Sequence, residues 1–135
     1  MLRIFVLDDE LNPPGGYEKR EQLPKALAGH DLTLALTLEE AKEKFKPPYD
    51  LMLLDHDLNG TFNPVGSPNT GLQFVEWMVT VKQPAPLPQI ILHSVSSKGR
   101  AAMGKILEEY GYHFQEFPFS QKYVTFLEEA FGLQS

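Results

Sequence analysis

The stretch LRIFVLDDE, residues 2–10, is a short apolar run that ends abruptly in three acidic residues. An apolar run of this length predicts a buried strand, here Arg3 to Leu7, of the kind found inside parallel sheets. The change in polarity places Asp8, Asp9 and Glu10 at the carboxyl end of that strand. The stretch therefore predicts that acidic side chains reach one edge of a parallel sheet.

Two further apolar runs end in polar residues that can bind or react. They are Leu51 to Leu54, followed by Asp55-His56-Asp57, and Ile90 to Leu92, followed by His93-Ser94. In open α/β sheets, ligands bind beyond the carboxyl ends of the strands. Carboxylates brought together there repel one another, and a divalent cation removes that conflict. Asp8, Asp9 and Asp55 are therefore expected to share one cation.

The rest of the chain alternates between strand and helix patterns. Two more strands are predicted at Leu32 to Leu36 and His113 to Phe117. Helices are predicted from Tyr17 to about Ala28, Leu38 to Phe45, Thr70 to Val81, Gly99 to Tyr110 and Gln121 to Phe131, with loops at residues 12–16 and 58–70. Apolar strands joined by helices predict an α/β fold with a doubly wound, five-stranded parallel sheet.

Composition limits the classes of protein and of site. The chain has 135 residues, 42% of them hydrophobic, which predicts a single domain over residues 1–135. It has no cysteine, so a metal must be held by oxygen or imidazole ligands, which favours Mg²⁺ or Mn²⁺. The N-terminal apolar run is too short for a signal sequence or a membrane span, so no membrane contact and a cytoplasmic location are expected.

The formal net charge of −6 argues against an extended nucleic-acid surface. A cation site in an acidic protein can still receive one phosphate group. The expected partner is accordingly a small phosphorylated ligand or an RNA end.

Along nearly its whole length the chain resembles the receiver domain of bacterial response regulators, with a flavodoxin-like fold. The resemblance makes Asp8 and Asp9 the acidic pair of the first strand and Asp55 the equivalent of the phosphoacceptor. Asp57 takes the position whose backbone carbonyl completes the shell of the cation. Two departures weigh against aspartyl phosphorelay: His93 stands where receivers carry Ser or Thr, and Phe117 stands where they carry Lys.

The sequence is similar in more detail to the cyclic-phosphate processing receiver domain family. The shared motifs are Asp8-Asp9-Glu10 to Pro13, Leu54 to Leu58 with Gly60, Thr70-Gly71, and His93-Ser94 running to Gly99. The resemblance implies an activity on cyclic phosphates such as the 2′,3′ ends left by RNA cleavage. This chain has Leu11 or Asn12 where the family often has Arg, and Ser96 where it often has Asn.

The candidate residues fall into three groups. Metal ligands are expected at Asp8, Asp9, Asp55 and Asp57, catalytic groups at His93, Asp55 and His56, and phosphate-binding groups at Ser94, Ser96, Lys98 and Arg100. An imidazole near neutral pH can carry a proton, and the start of a helix attracts phosphate. Side chains alternate along a strand, which favours His93 over His56 as the residue that faces the site.

Two other functions fit the same residues. One is an atypical receiver that serves as an interaction module for a partner protein. The other is a phosphoacceptor modified at Asp55. His30 and His113 fall at the opposite edge of the predicted sheet and are expected to be surface residues.

Overall fold

Five parallel strands form one sheet in a computed structural model that describes residues 1–9, 23–58 and 69–132. The strands are β1 (Arg3–Leu7), β2 (Asp31–Ala35), β3 (Leu51–Leu54), β4 (Gln89–Leu92) and β5 (Phe114–Glu116). Their order across the sheet is β2-β1-β3-β4-β5. The helices are α1 (residues 23–26), α2 (Leu38–Lys44), α3 (Gly71–Met78), α4 (Ser97–Glu109) and α5 (Gln121–Phe131). The doubly wound α/β prediction is confirmed.

The sheet separates two apolar cores, because successive strand side chains point to opposite faces. One core joins Phe5, Leu7, Met52, Leu54, Ile90 and Leu92 to helices α2, α3 and α4. The other joins Ile4, Val6, Leu51, Leu53 and Ile91 to α1 and α5. Both faces of the central strands are thus covered by helices, which explains the continuous apolar runs in β1, β3 and β4.

The register of the three central strands aligns the residues that follow them. Leu7 pairs with Leu54, and Leu54 pairs with Leu92. Beyond these pairs the Asp55 amide donates to the Leu7 carbonyl at 2.9 Å, and the His93 amide donates to the Leu54 carbonyl at 3.0 Å. The first residues after β1, β3 and β4 therefore leave the sheet side by side.

The boundaries of several elements differ from the sequence prediction by a few residues. Strand β2 begins and ends one residue early, and β5 is shorter than expected. Helix α4 begins at Ser97 instead of Gly99, because the Ser96 hydroxyl accepts a hydrogen bond from the Gly99 amide at 3.0 Å and caps the helix. The predicted loops at residues 12–16 and 59–68, and the segment from Tyr17 to residue 22, lie outside the described residues. Within the described ranges, no helix combines the length and the apolar composition needed to span a membrane.

Candidate metal centre

Three side chains from three strand ends converge at the carboxyl edge of the sheet. Asp8 follows β1, Asp55 follows β3 and His93 follows β4. Each offers one ligand atom, and these atoms all lie within 4.8 Å of one another. Asp8 and His93 are fully buried and Asp55 is 4% exposed. We call this group the Asp8–Asp55–His93 cluster.

Both nitrogens of the His93 ring lie within hydrogen-bond distance of a side chain. Its Nε2 lies 2.8 Å from Oδ2 of Asp8, and its Nδ1 lies 3.0 Å from the hydroxyl of Tyr123. Tyr123 is a fully buried residue of α5. Burial raises the pKa of Tyr123 well above its usual value, and the charges of Asp8 and Asp55 raise it further, so the hydroxyl keeps its proton.

Sequence reasoning missed Tyr123, which has no motif around it. The available signal was its place on the apolar face of α5 beside Val124 and Leu127. A tyrosine buried on such a face usually finds a hydrogen-bond partner for its hydroxyl. The sequence does not say which partner, because that depends on how α5 lies on the sheet.

Asp55 is held from two sides. Its Oδ1 accepts a hydrogen bond from the His56 amide at 2.9 Å. Helix α3 also starts against it: the Gly71 amide donates to the His56 carbonyl at 2.8 Å, and the buried Thr70 caps the helix. The glycine of the Thr70-Gly71 motif is therefore required for packing, because a side chain at Gly71 would collide with the backbone of Asp55.

His56 is buried, and its ring lies against a different element from His93. A Cβ atom at Gly99 of α4 would lie 2.4 Å from Cγ of His56, so helix and ring are in direct contact. The His56 Nδ1 lies 2.9 Å from Oδ1 of Asp57. Neither residue belongs to the Asp8–Asp55–His93 cluster. A catalytic role for His56 stays a prediction, and its observed contacts are those of a packing residue.

The other two predicted metal ligands stand apart from the cluster. Asp9 is partly exposed, and its carboxylate is outside the set of ligand atoms that lie within 4.8 Å. The Asp57 carboxylate is turned to His56. A contribution from the Asp57 carbonyl, which the family resemblance implies, stays a prediction.

The four predicted phosphate-binding residues are placed near the start of α4. Ser94 and Ser96 are buried: the Ser94 hydroxyl accepts from the Ser96 amide at 3.1 Å, and the Ser96 hydroxyl caps the helix. Arg100 donates to the Ser94 carbonyl at 2.6 Å and to Glu116 at 3.0 Å. Lys98 is exposed. Three of the four thus have structural partners, and their role in binding phosphate stays a prediction.

The cluster suits a divalent cation by the chemistry of its donors. Two carboxylates and one imidazole are hard or borderline ligands for Mg²⁺, Mn²⁺ and related ions. Two buried carboxylates this close together favour a positive charge between them. The residues present therefore fit the cation that the sequence led us to expect.

The comparisons with known proteins agree with this architecture. The chain is similar to the response regulator DrrB of Thermotoga maritima, an OmpR/PhoB homolog, with a TM-score of 0.58 at 17% sequence identity. The match covers 96% of this chain and 50% of the DrrB chain, so this chain spans half the length of that protein. At this identity the likeness shows the fold alone. No curated protein matches the sequence.

The family resemblance is confirmed by a match to a family model. The model described as cyclic-phosphate processing receiver domain matches residues 3–109, which include β1, β3, β4 and the whole Asp8–Asp55–His93 cluster. This chain belongs to the cyclic-phosphate processing receiver domain family.

Proposed function

We propose that this domain is an enzyme that processes a phosphate ester, namely a cyclic phosphate on a 2′,3′-cyclic nucleotide or an RNA end, with Mg²⁺ or Mn²⁺ as cofactor. The observation that carries the proposal is the burial of His93 beside Asp8 and Asp55, with ligand atoms within 4.8 Å. Ordinary receivers have a small hydroxyl residue at that position. The change adds to two carboxylates a nitrogen that can bind a cation or carry a proton.

The residues around the cluster support ester chemistry over phosphorelay. Receivers neutralise an acyl phosphate with a lysine where this chain has Phe117. The Phe117 ring packs in an apolar group, with its centroid 5.3 Å from that of the Tyr123 ring and 5.2 Å from that of the Phe126 ring. The guanidinium of Arg100 is already paired with Glu116. A phosphorylated Asp55 would thus lack the lysine that stabilises it in receivers.

The two carboxylates of the cluster and the residues around them have defined tasks in this proposal. Asp8 and Asp55 would hold the cation at the edge of the sheet, where a ligand of an open α/β sheet would enter. A bound divalent cation withdraws charge from phosphate oxygens and lowers the pKa of bound water. The α3 contact and the His56 amide keep the Asp55 carboxylate in place. Lys98 is exposed in the first turn of α4, where its positive charge can attract a phosphate. The start of the helix adds to this attraction, because the amide groups there favour negative charge.

The proposal is tested by turnover of 2′,3′-cyclic nucleotides and of RNA with a 2′,3′-cyclic end, followed by ³¹P NMR. We expect conversion to a monoester in Mn²⁺ or Mg²⁺ and none in chelator. Asp55→Asn and Asp8→Asn should lower the rate by more than about 100-fold, since even groups that only contact a metal ligand contribute about 10- to 100-fold. Asp31→Asn is the matched control, because Asp31 is exposed at the opposite edge of the sheet, where it pairs with Arg3.

Three outcomes would contradict the proposal, and the third is the absence of any reaction. The first is the same rate in chelator or in Asp55→Asn as in the unmodified chain. The second is a stable mass adduct at Asp55 after incubation with a small acyl phosphate and Mg²⁺, without turnover of cyclic substrates. That result would favour a phosphoacceptor, and the absence of both reactions would favour an interaction module.

A further inference from the structure

We propose that His93 is itself a nitrogen ligand of the cation, oriented by Tyr123, and that the site therefore prefers first-row transition ions such as Mn²⁺, Co²⁺ or Zn²⁺ over Mg²⁺. This inference rests on the cation site of the proposed function and specifies its ligands. It follows from the geometry of one ring. The His93 Nε2 faces Asp8 at 2.8 Å, and Nε2 or Nδ1 lies within 4.8 Å of ligand oxygens of both carboxylates.

The hydroxyl of Tyr123 gives the ring the orientation that a ligand needs. Histidines that bind metals almost always donate their other ring N–H to a neighbouring group, which fixes the tautomer and the ring plane. The Tyr123 hydroxyl, 3.0 Å from Nδ1, is such a neighbour. With Nδ1–H donated to the Tyr123 oxygen, the lone pair of Nε2 points to the cluster. Tyr123 is thus a positioning residue for the ligand.

The surroundings of His93 favour a ligand over a proton carrier. The ring is fully buried, and it packs against the rings of Phe119 and Tyr123, whose centroids are 6.4 Å and 5.4 Å away. A proton carrier must come within about 2.6–3.2 Å of a substrate oxygen. For His93 that would mean breaking one of two hydrogen bonds inside a packed core. Binding an ion beside Asp8 leaves the ring in place: the ring proton resides on Nδ1, and the ion takes the place of the Nε2–Asp8 hydrogen bond as the link between the two groups.

The donor set then decides which ions bind tightly. Mg²⁺ prefers oxygen ligands in near-octahedral geometry and keeps several of its waters. Imidazole is a better ligand for first-row transition ions, and affinity for such sites rises from Mn²⁺ through Co²⁺ to Cu²⁺. Replacing the hydroxyl residue of ordinary receivers by imidazole should therefore shift the preference of the site away from Mg²⁺.

The test measures ion binding instead of activity. The full chain is stripped with chelator, and its affinities for Mn²⁺, Co²⁺ and Mg²⁺ are measured by calorimetry. We expect the ratio of Mn²⁺ to Mg²⁺ affinity to fall at least about tenfold in His93→Thr, which keeps both carboxylates. Pulsed electron paramagnetic resonance of the Mn²⁺-loaded chain should show a directly bound nitrogen that is lost in this variant.

Tyr123→Phe tests the positioning role without altering a ligand. It should lower the Mn²⁺ affinity about 10- to 100-fold and broaden the nitrogen signal, because the ring loses the partner that fixes it. Tyr112→Phe is the matched control: Tyr112 is also a buried tyrosine with one hydroxyl partner, Gln83, but it lies in the other core. It should leave ion affinity unchanged.

The outcomes separate this inference from the proposed enzyme activity. A nitrogen signal and a transition-ion preference without turnover would support the ligand and contradict the activity. Turnover without a nitrogen signal, with the same ion preference in His93→Thr, would overturn the ligand and leave the activity standing. Binding of none of the three ions would overturn the inference. The His93 ring, hydrogen-bonded to Asp8, would then be the partner of the buried carboxylate in place of a cation.

Discussion

Gly71 and Asp55 meet through their backbones: a Cβ atom at Gly71 would lie 1.8 Å from the Asp55 carbonyl oxygen. Helix α3 can therefore begin where it does only because this residue has no side chain. The same contact fixes the strand end from which the Asp55 carboxylate extends to the cluster. A local packing requirement thus sets the position of a candidate metal ligand.

Gly71→Ala is expected to destabilise the fold by about 1–3 kcal/mol, since the added methyl group forces the backbone of α3 away from β3. Because Asp55 moves with that backbone, the Mn²⁺ affinity should fall as well. Urea unfolding and calorimetry measure the two effects.

Gly111→Ala serves as the comparison for Gly71→Ala. Gly111 has a φ of 81° and no atom near its missing Cβ, so alanine there should cost about 1–2 kcal/mol through backbone strain alone. It should leave ion binding intact. Equal losses of Mn²⁺ affinity in both variants would show that the Gly71 contact does not position Asp55.

The contact between Gly99 and His56 allows a second prediction. A Cβ atom at Gly99 would lie 2.4–2.8 Å from three atoms of His56, Cγ, Cβ and Nδ1, so Gly99→Ala should cost about 1–3 kcal/mol of unfolding free energy. His56→Ala alone should also destabilise the fold, because it leaves a cavity. In the double variant the new methyl group enters that cavity.

The two changes should therefore be non-additive. We expect the double variant to be more stable than the sum of the single effects by about 0.5–3 kcal/mol, as measured by a double-mutant cycle in urea. Additive effects would mean that His56 turns away from α4 at little cost, as a residue facing the crevice would.

The fold and the centre of the site could be predicted from the sequence because both depend on short-range patterns. An apolar run followed by an acidic or imidazole side chain marks the end of a buried strand, and parallel pairing brings such ends together. The sequence predicts that Asp8, Asp55 and His93 follow strand ends at one edge of the sheet, and their ligand atoms lie within 4.8 Å of one another; Asp9, the other carboxylate expected to share the cation, is outside that set. Their spacing in the chain, up to 85 residues between Asp8 and His93, does not matter once the strand order is known.

Side-chain direction and helix rotation could not be predicted in this way. The carboxylate of Asp57 lies beside the His56 ring, and the hydroxyl of Ser96 accepts a hydrogen bond from the Gly99 amide at the start of α4. Which partner each of these side chains contacts depends on residues that are distant in sequence or on the exact path of the backbone, and the sequence pattern does not specify either. Tyr123 reaches His93 for the same reason, through the angle at which α5 crosses the sheet.

His30 illustrates the same limit at the other edge of the sheet and gives a third prediction. The sequence predicts a surface residue, but His30 is half-buried: its Nδ1 accepts from the Leu2 amide at 2.9 Å and its Nε2 contacts the Phe131 carbonyl. His30→Ala should therefore lower the free energy of unfolding by about 1–3 kcal/mol, because two backbone groups lose a partner.

His113→Ala is the matched control for His30→Ala, since His113 is exposed at the same edge of the sheet. Its effect should stay within about 0.5 kcal/mol. Equal stability of the two variants in urea would show that the His30 bonds do not tie β1 to the end of α5.

The last prediction concerns alkaline pH and follows from the raised pKa of Tyr123, caused first by burial and then by Asp8 and Asp55. The folded chain keeps this phenol proton at a pH where the unfolded chain, with a tyrosine pKa of about 10, has lost it. Below pH 10 both states are protonated, so the titration of this group does not change the free energy of unfolding. Above pH 10 the unfolded state binds fewer protons, so the free energy of unfolding falls by up to about 1.4 kcal/mol per pH unit.

Urea unfolding from pH 8 to 11, in chelator, should accordingly show a shallower alkaline decline for Tyr123→Phe than for the unmodified chain. Burial also raises the pKa of Tyr112, so Tyr112→Phe should remove a smaller part of the slope. A slope that Tyr123→Phe leaves unchanged would mean that water reaches the phenol in the folded chain.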